Sequence, residues 1–461
     1  MALPPKQPIA SRLSPPASAW SRGGRRGVSW LSHPVALGLV SAVLLCGHAG
    51  VTGQLFGPPR HPDGRDYDAI ACGLARGQGF AADYRNPDFW AAYPTRTAPH
   101  PAAEMNATVD RTAMRPPALP TALALSHTAG RVRSVALADR SFVPIRLLMI
   151  ACVAITVGLI ARAVTDLAGP LASLALVVPL TIAADWRFRE MSRSVLTEAP
   201  SLLLMTAAAV VAAHLVAKSR RNDLPTSSLF GPSLGLGVLL GFAVLVRSMT
   251  ALQLPLLFAG LFLVVRDRRM IVAAAATTAV VVAPWIVRNV QVAGSDLPLG
   301  TQGATELPAG YSDAAWNAGG LWRAESRHAI ALEDPAAVAG IADEVAIARA
   351  NRDSAKQWAF DHPFRAMALA ARKVANEFGS HSAGKLCFWL LAIAGMWQHR
   401  RHPLAVVAVL WIASTLASVA VTWSVGGRFL WPVLAMPHIF VAVSLWQVLA
   451  LAFKPADTTD G

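Results

Sequence analysis

Long apolar runs separated by shorter polar stretches dominate the chain. A stretch of about 20 apolar residues can cross a bilayer as a helix, and backbone groups cannot stay unpaired in hydrocarbon. The pattern therefore predicts an all-α polytopic membrane protein with about ten transmembrane helices. Their apolar runs are 34–52, 141–161, 167–184, 199–217, 230–246, 248–265, 270–287, 386–398, 403–427 and 429–453.

The run 386–398 is shorter than the roughly 20 residues that a span requires. We therefore expect its helix to begin near Phe378, with Lys385 buried or reaching the membrane interface.

Composition supports the membrane assignment. Of the 461 residues, 54% are hydrophobic and 15% are charged, and the formal net charge is +14. Much of the Lys and Arg lies in short blocks between apolar runs, which is typical of membrane topology rather than of nucleic-acid binding. The four cysteines show no spacing of a disulfide framework or a metal cluster.

The basic blocks orient the chain in the membrane. Residues 1–32, rich in Pro, Ser and Arg, predict a disordered cytoplasmic tail before a signal anchor, with a cleaved signal peptide as the alternative. Ten spans then place the basic blocks 218–221, 266–269 and 399–402 on that same side, as cytoplasmic loops favour. The count requires that 117–130 does not cross, so we interpret it as an interfacial helix.

This topology divides the chain into a transmembrane bundle with large outer loops and cytoplasmic termini. Nearly all acidic residues fall on the outer face of the cell membrane. The segment 323–376 predicts one or two helices that either cover an active site, present an acceptor or pack on the bundle. The predicted divisions are the tail 1–32, the N-terminal transmembrane module 33–287 with its outer loop 53–140, the outer-face region 288–384, the C-terminal helices 385–453 and the tail 454–461.

An acidic motif follows the first apolar run, in "HPDGRDYDAIACGLARGQGF" at 61–80. Apolar or small residues recur at helical spacing from Tyr67, which predicts an amphipathic helix on the outer surface that ends near Gly77 and Gly79. Asp63 could cap this helix, with Asp66 as a rough capping box.

The motif and several later pieces resemble the C-type glycosyltransferase fold. The branch concerned includes protein O-mannosyltransferases and the aminoarabinose transferases of lipid A. The pieces, which follow the family's order, are "DGRDYDAIACGLARGQGF", "RPPALP" (115–120), "PIRLL" (144–148), "RSVLTEAP" (193–200), "LVRSMTALQLP" (245–255), "PWIVRN" (284–289), "WAFDHPFRAMALAARKV" (358–374) and "GGRFLWPVLAMP" (426–437).

The resemblance implies an enzyme that moves a sugar from a polyprenyl monophosphate to an acceptor hydroxyl on the outer side of the membrane. It implies Asp63 as the catalytic residue, because the family's Asp lies four residues before the Tyr. Many relatives have Asp-Glu there, whereas this chain has Gly64, so Asp66 is a candidate for the second carboxylate. In-line attack, with Asp63 accepting the hydroxyl proton, predicts inversion at the anomeric carbon.

Arginines on the outer face are candidates for the donor phosphate, because a guanidinium offers forked donors that match phosphate oxygens. The resemblance favours Arg115, and an interfacial anchor is the alternative for the helix-end arginines. Glu198 is another acidic candidate, with a carboxylate at a helix N-terminus as its alternative. The predicted phosphate-binding residues are Arg115, Arg247, Arg288, Arg428 and Arg193, of which Arg193 could instead pair with Glu198.

No metal or other cofactor is predicted. His61 and His100 flank the acidic loop, but their spacing matches no known metal site, and solvated loop histidines explain them. More distant members of the fold use a divalent cation, so a cation is not excluded. The predicted partners are a polyprenyl-phosphate sugar, membrane lipids and an acceptor that is a lipid, glycan or protein; nucleic acid is not among them.

Two other functions fit the same pattern. A transporter or flippase also needs many spans and charges within the membrane, but here the charges gather at one face rather than in a row through the bilayer. A non-catalytic assembly factor could retain the fold. Loss of sugar transfer on replacing Asp63 by Asn would separate the transferase from both.

Overall fold

A computed structural model describes residues 33–82, 89, 93, 111–129, 140–220, 227–323, 341–379 and 382–453. The tails predicted at 1–32 and 454–461, and His100, lie outside these described residues.

Helices make up almost all the regular structure of the described ranges, where strand pairing is limited to two isolated bridges. The prediction of an all-α polytopic membrane protein is confirmed. The helices are α1 (Pro34–Val51), α2 (Pro62–Ala75), α3 (Ala118–Ala129), α4 (Val143–Ala168), α5 (Pro170–Val178), α6 (Trp186–Arg193), α7 (Glu198–Ser219), α8 (Ser227–Val246), α9 (Thr250–Val264), α10 (Arg268–Ala293), α11 (Gln302–Glu306), α12 (Asp313–Asn317), α13 (Ile341–Asp361), α14 (Pro363–Phe378), α15 (Ala383–Gln398), α16 (Pro403–Ala420) and α17 (Ala435–Ala452).

Each of the ten apolar runs lies mostly in helix. Among the described residues, six helices are long and apolar enough to cross a membrane, and a bent pair at 170–193 brings the number to seven. The apolar segments Phe230–Val246 of α8 and Thr250–Val264, which is α9, are shorter. The helices that qualify by themselves are α1, α4, α7, α10, α16 and α17.

Glycines and prolines shift several boundaries away from the apolar runs. Gly169, with a φ of 91°, ends α4, and Pro170 starts α5. The final two runs are also interrupted, because α16 ends at Ala420 and a 3-10 segment, Arg428–Val433, precedes α17. Consecutive positive φ angles at Gly426 and Gly427 form this break, a conformation that glycine adopts readily.

The predicted start of the eighth span is wrong. The sequence placed it near Phe378, but α14 ends at that residue, and Gly379 adopts a left-handed conformation with a φ of 58°. The next helix, α15, begins at Ala383, where the Ser382 side chain accepts a hydrogen bond from the Lys385 backbone nitrogen. A left-handed glycine after the last turn is a common helix terminator, which explains the separation. Lys385 is exposed.

The motif helix α2 is buried rather than lying on the surface. Gly64 and all residues from Asp66 to Gly73 are buried, because α3 packs along α2 and covers it. The expected helix end is confirmed by positive φ angles at Gly77 and Gly79. Since α3 has 12 residues, about 18 Å of helix, it is too short to cross a bilayer.

After the short helices α11 and α12, the outer-face region contains the two longer helices α13 and α14. α13 and α14 meet at His362 and follow one another directly in the sequence. The expectation of one or two helices within 323–376 is therefore confirmed, with residues 324–340 outside the described part. Glu344, Asn351, Lys373 and Glu377 are buried on this helix pair.

Candidate active site

The start of α2 orients Asp63. The N-cap is His61, whose Nδ1 accepts a hydrogen bond from the Asp63 backbone nitrogen at 3.2 Å, and Pro62 occupies the first helical turn. The hypothesis that Asp63 itself caps the helix is therefore wrong. Its side chain is free for other contacts, since the imidazole of His61 does the capping.

Two arginines from distant parts of the chain hold the Asp63 carboxylate. Arg115 Nη2 donates to Oδ1 at 2.9 Å, and Arg428 Nη2 donates to Oδ2 at 3.0 Å. Burial alone would raise the pKa of this carboxyl, but the two guanidinium groups outweigh burial and hold the pKa well below its usual value. Asp63 is therefore an ionised carboxylate.

Glu198, in the first turn of α7, joins the same cluster. Its Oε1 accepts from Arg428 Nε at 2.6 Å and from Arg247 Nη1 at 2.9 Å. Its Oε2 is buried and has no hydrogen-bond partner among the described residues. Arg428 thus bridges Asp63 and Glu198, and Glu198 retains an unused acceptor.

Asp66 and Tyr67 both contact the Arg115 guanidinium. Arg115 Nε donates to Asp66 Oδ2 at 3.1 Å, and the Arg115 guanidinium lies 5.3 Å from the centre of the Tyr67 ring. Only 6% of the Asp66 side chain is exposed, and this residue does not line the cavity described below. Burial raises the pKa of Tyr67 to about 12, so the phenol stays neutral.

The cluster forms one end of a cavity of about 580 Å³. Leu252, Val421 and Phe429 supply apolar wall, and Trp322 donates from its indole nitrogen to Glu306 Oε2 at 2.8 Å. A cavity with mostly apolar walls and a few converging charged groups is typical of a small-molecule site. The charged side chains around it are His61, Asp63, Arg115, Glu198, Arg247, Asp296, Glu306, Arg352 and Arg428.

Two arginines predicted to bind phosphate do not line this cavity. Arg193 donates from Nε to Glu190 Oε2 at 2.6 Å, so its alternative pairing with Glu198 is wrong. Arg288 lies over Trp285, with 4.9 Å between guanidinium and ring centre. Arg115, Arg247 and Arg428 are the members of the predicted set that line the cavity, where Arg115 and Arg428 bond Asp63 and Arg247 bonds Glu198.

His61 was interpreted as a solvated loop histidine, and the structure corrects this. Besides capping α2, its Nδ1 lies 3.5 Å from Asp63 Oδ2, and its Nε2 lies 3.3 Å from Arg428 Nη1. The sequence "HPD" contains a signal for this role, because a polar residue before Pro and an acidic residue is typical of a helix start.

A second group of buried polar side chains is centred on Asp68. Its carboxylate accepts from Tyr93 Oη at 2.6 Å, contacts His127 Nε2 at 2.7 Å and pairs with Arg140. Asp68, Cys72 and His127 could offer ligand atoms to a cation. However, the guanidinium of Arg140 already neutralises Asp68 and would repel a metal ion, so we assign the group a structural role that ties α2 to α3.

No protein-family model matches the chain, and no curated protein matches it. Among solved structures, the chain is similar to ArnT from Cupriavidus metallidurans, which was crystallised bound to undecaprenyl phosphate. The two share 14% sequence identity, the similarity covers 92% of this chain and 79% of ArnT, and the TM-score is 0.38. At this identity and TM-score, the similarity carries no argument about function.

Proposed function

We propose that the protein is an integral membrane glycosyltransferase that takes a sugar from a polyprenyl monophosphate and transfers it to an acceptor hydroxyl on the outer side of the membrane. The observation that carries the proposal is the group of three arginines around the paired carboxylates Asp63 and Glu198 in a largely apolar cavity. An arginine group suits a phosphate, a carboxylate suits an acceptor proton, and apolar walls suit a lipid-borne substrate.

The balance of charges at this site would allow a bound phosphate to replace the Asp63 carboxylate as a partner of the arginines. Three arginines (Arg115, Arg247 and Arg428) face three carboxylates (Asp63, Asp66 and Glu198). A donor phosphate would compete with Asp63 for the guanidinium N–H groups. As these donors turn to the phosphate, Asp63 loses stabilising partners and becomes a stronger base.

The proposed reaction is a single displacement. The acceptor O–H gives its proton to Asp63, and its oxygen forms the new bond to the anomeric carbon. The bond from that carbon to the phosphate oxygen breaks, and its electron pair stays on the polyprenyl phosphate, which gains one negative charge. The arginines stabilise that developing charge, and attack from the opposite face inverts the anomeric centre. The unused Glu198 Oε2 is a candidate acceptor for a sugar hydroxyl.

Arg247 is expected to contribute directly to donor binding. Its guanidinium makes one hydrogen bond among the described residues, to Glu198, so it retains donors for a phosphate. Replacing Arg247 by Met should raise the Kd for undecaprenyl phosphate by roughly 10- to 100-fold, the loss of one charge-assisted hydrogen bond. Native mass spectrometry of the purified protein measures this Kd.

Arg193 offers a matched control for that experiment. It was predicted for the same role, but it pairs with Glu190 outside the cavity. Arg193→Met should leave the Kd unchanged. Equal effects of the two substitutions, or no binding of the lipid by the wild-type protein, would contradict the proposed phosphate site.

The depressed pKa of Asp63 predicts a particular pH dependence. In the free protein the Asp63 carboxylate stays ionised as pH falls through about 3.9, the ordinary pKa of Asp. Protonation of Asp63 should therefore not lower kcat/KM in that pH range. In the donor complex the arginines are shared with phosphate, and the pKa rises. The acid limb of kcat should therefore lie at higher pH than that of kcat/KM; coincident limbs would count against the exchange of arginine partners.

A further inference from the structure

The two arginines that hold Asp63 are on connecting segments. Arg115 lies before α3 in a segment without helical structure, and Arg428 follows the Gly426-Gly427 break. Connecting segments are usually the most mobile parts of a fold. Their precise contacts with Asp63 therefore require something to hold the backbone in place.

Glu377 of α14 holds the segment that carries Arg428. Its Oε1 accepts from Ser424 Oγ at 2.6 Å and from the Val425 backbone nitrogen at 3.1 Å. Its Oε2 accepts from the Phe429 backbone nitrogen at 3.0 Å. The positive φ angles at Gly426 and Gly427 let residues 424–429 curve around this carboxylate, as in backbone anion-binding nests.

Lys373 adds a second contact one helical turn away. Its Nζ donates to the Thr422 backbone oxygen at 2.8 Å and lies 3.8 Å from the centre of the Tyr311 ring. Lys373 and Glu377 are four residues apart, which places them on one face of α14. This face therefore holds the cavity-lining segment on both sides of Ser424.

Glu344 of α13 makes a similar contact to the segment that carries Arg115. Its Oε1 accepts from the Ala113 backbone nitrogen at 3.0 Å and from Thr301 Oγ1 at 2.5 Å. Its Oε2 accepts from Thr112 Oγ1 at 2.8 Å. The Thr301 backbone nitrogen also donates to Ala113 O at 3.0 Å, which connects this segment to the cavity wall.

We propose that Glu377 and Glu344 are positioning residues, through which the α13–α14 pair holds Arg428 and Arg115 against Asp63. Neither glutamate lines the cavity, so neither would touch a substrate. The identity of the anion that the arginines bind rests on the proposed function. The anchoring of the two segments does not.

The two glutamates should respond differently to the isosteric change to Gln. At Glu377, each carboxylate oxygen faces a backbone N–H, which can only donate, so the NH2 group of a Gln would face a donor in either orientation. At Glu344, Oε2 faces the Thr112 hydroxyl, which can turn and accept. Glu377→Gln should therefore release its segment, while Glu344→Gln should be tolerated.

Hydrogen–deuterium exchange with mass spectrometry on the full-length protein tests the anchoring directly. Glu377→Gln should speed exchange in peptides covering 424–429, and Glu344→Gln should leave 111–117 near the wild-type rate. Native mass spectrometry should show that Glu377→Gln raises the Kd for undecaprenyl phosphate roughly tenfold. Glu344→Gln should change this Kd by no more than about twofold. Asp361→Asn, at the exposed end of α13, is the control without effect.

Ser424→Ala is a milder second variant that remains informative if Glu377→Gln does not accumulate. It removes the hydroxyl donor to the Glu377 carboxylate but keeps the backbone donors, so it should speed exchange at 424–429 to a smaller extent. Wild-type exchange at 424–429 in Glu377→Gln and Ser424→Ala, or equal responses to the two Gln substitutions, would overturn the inference. If the wild-type protein binds no undecaprenyl phosphate, the proposed function fails, and the exchange rates alone decide the anchoring.

Discussion

Replacing Asp63 by Asn should lower the rate of sugar transfer by roughly a thousandfold, the usual contribution of a positioned general base. The amide has the same shape but cannot accept the proton of the acceptor hydroxyl at neutral pH. The measurement is turnover of the polyprenyl-phosphate sugar that the wild-type protein uses, with protein level in the membrane determined in parallel.

The same substitution should not weaken binding of undecaprenyl phosphate. In the proposed site, Asp63 would compete with phosphate for Arg115 and Arg428, so its neutralisation should leave Kd unchanged or lower it. Asp166→Asn is a suitable control, because Asp166 pairs with Arg162 in an exposed i,i+4 contact away from the cavity. Undiminished turnover in the D63N protein would remove Asp63 from the mechanism.

Replacing Arg115 by Met should reduce the free energy of unfolding by about 3–5 kcal/mol, the usual cost of removing one partner of a buried ion pair. Only 6% of the Arg115 side chain is exposed, and its loss leaves Asp66 and Asp63 without this guanidinium. Thermal unfolding of the purified protein in detergent provides the measurement.

A second substitution separates lost charge pairing from lost packing. Adding Asp66→Asn to Arg115→Met removes one of the two carboxylate charges that lose this guanidinium, so the double variant should recover part of the lost stability. If the single variant unfolds at the wild-type temperature, or if the double variant is less stable than the single one, the buried pair does not stabilise α2 as described.

The apolar runs predicted most of the fold, because spanning helices must be continuous and apolar. The errors lie where backbone conformation overrides apolar content. Gly379 separates α14 from α15, and α16 ends at Ala420 although the apolar run 403–427 continues to Gly426-Gly427. The burial of α2 was also missed, since its aspartates look solvated until the arginines that pair with them are known.

The sequence indicated residues of the site, but not which of them bond to one another. Arg428 and Asp63 are 365 positions apart, so only the folded chain reveals that they bond. Arg193 and Arg247 look alike in sequence, and only the structure shows that Arg247 faces the cavity while Arg193 pairs with Glu190. Glu344 and Glu377 lie among alternating charged and small residues, a pattern typical of a solvated helix face.

The proposed transfer is tested most directly by comparing glycolipids and glycoproteins in a strain that lacks this protein. One class of molecule should lose a sugar, and that class identifies the acceptor. The wild-type chain should restore the sugar, and D63N, expressed to the same level, should not. An unchanged profile in the deletion strain, or full restoration by D63N, would contradict a glycosyltransferase that uses the Asp63 cavity.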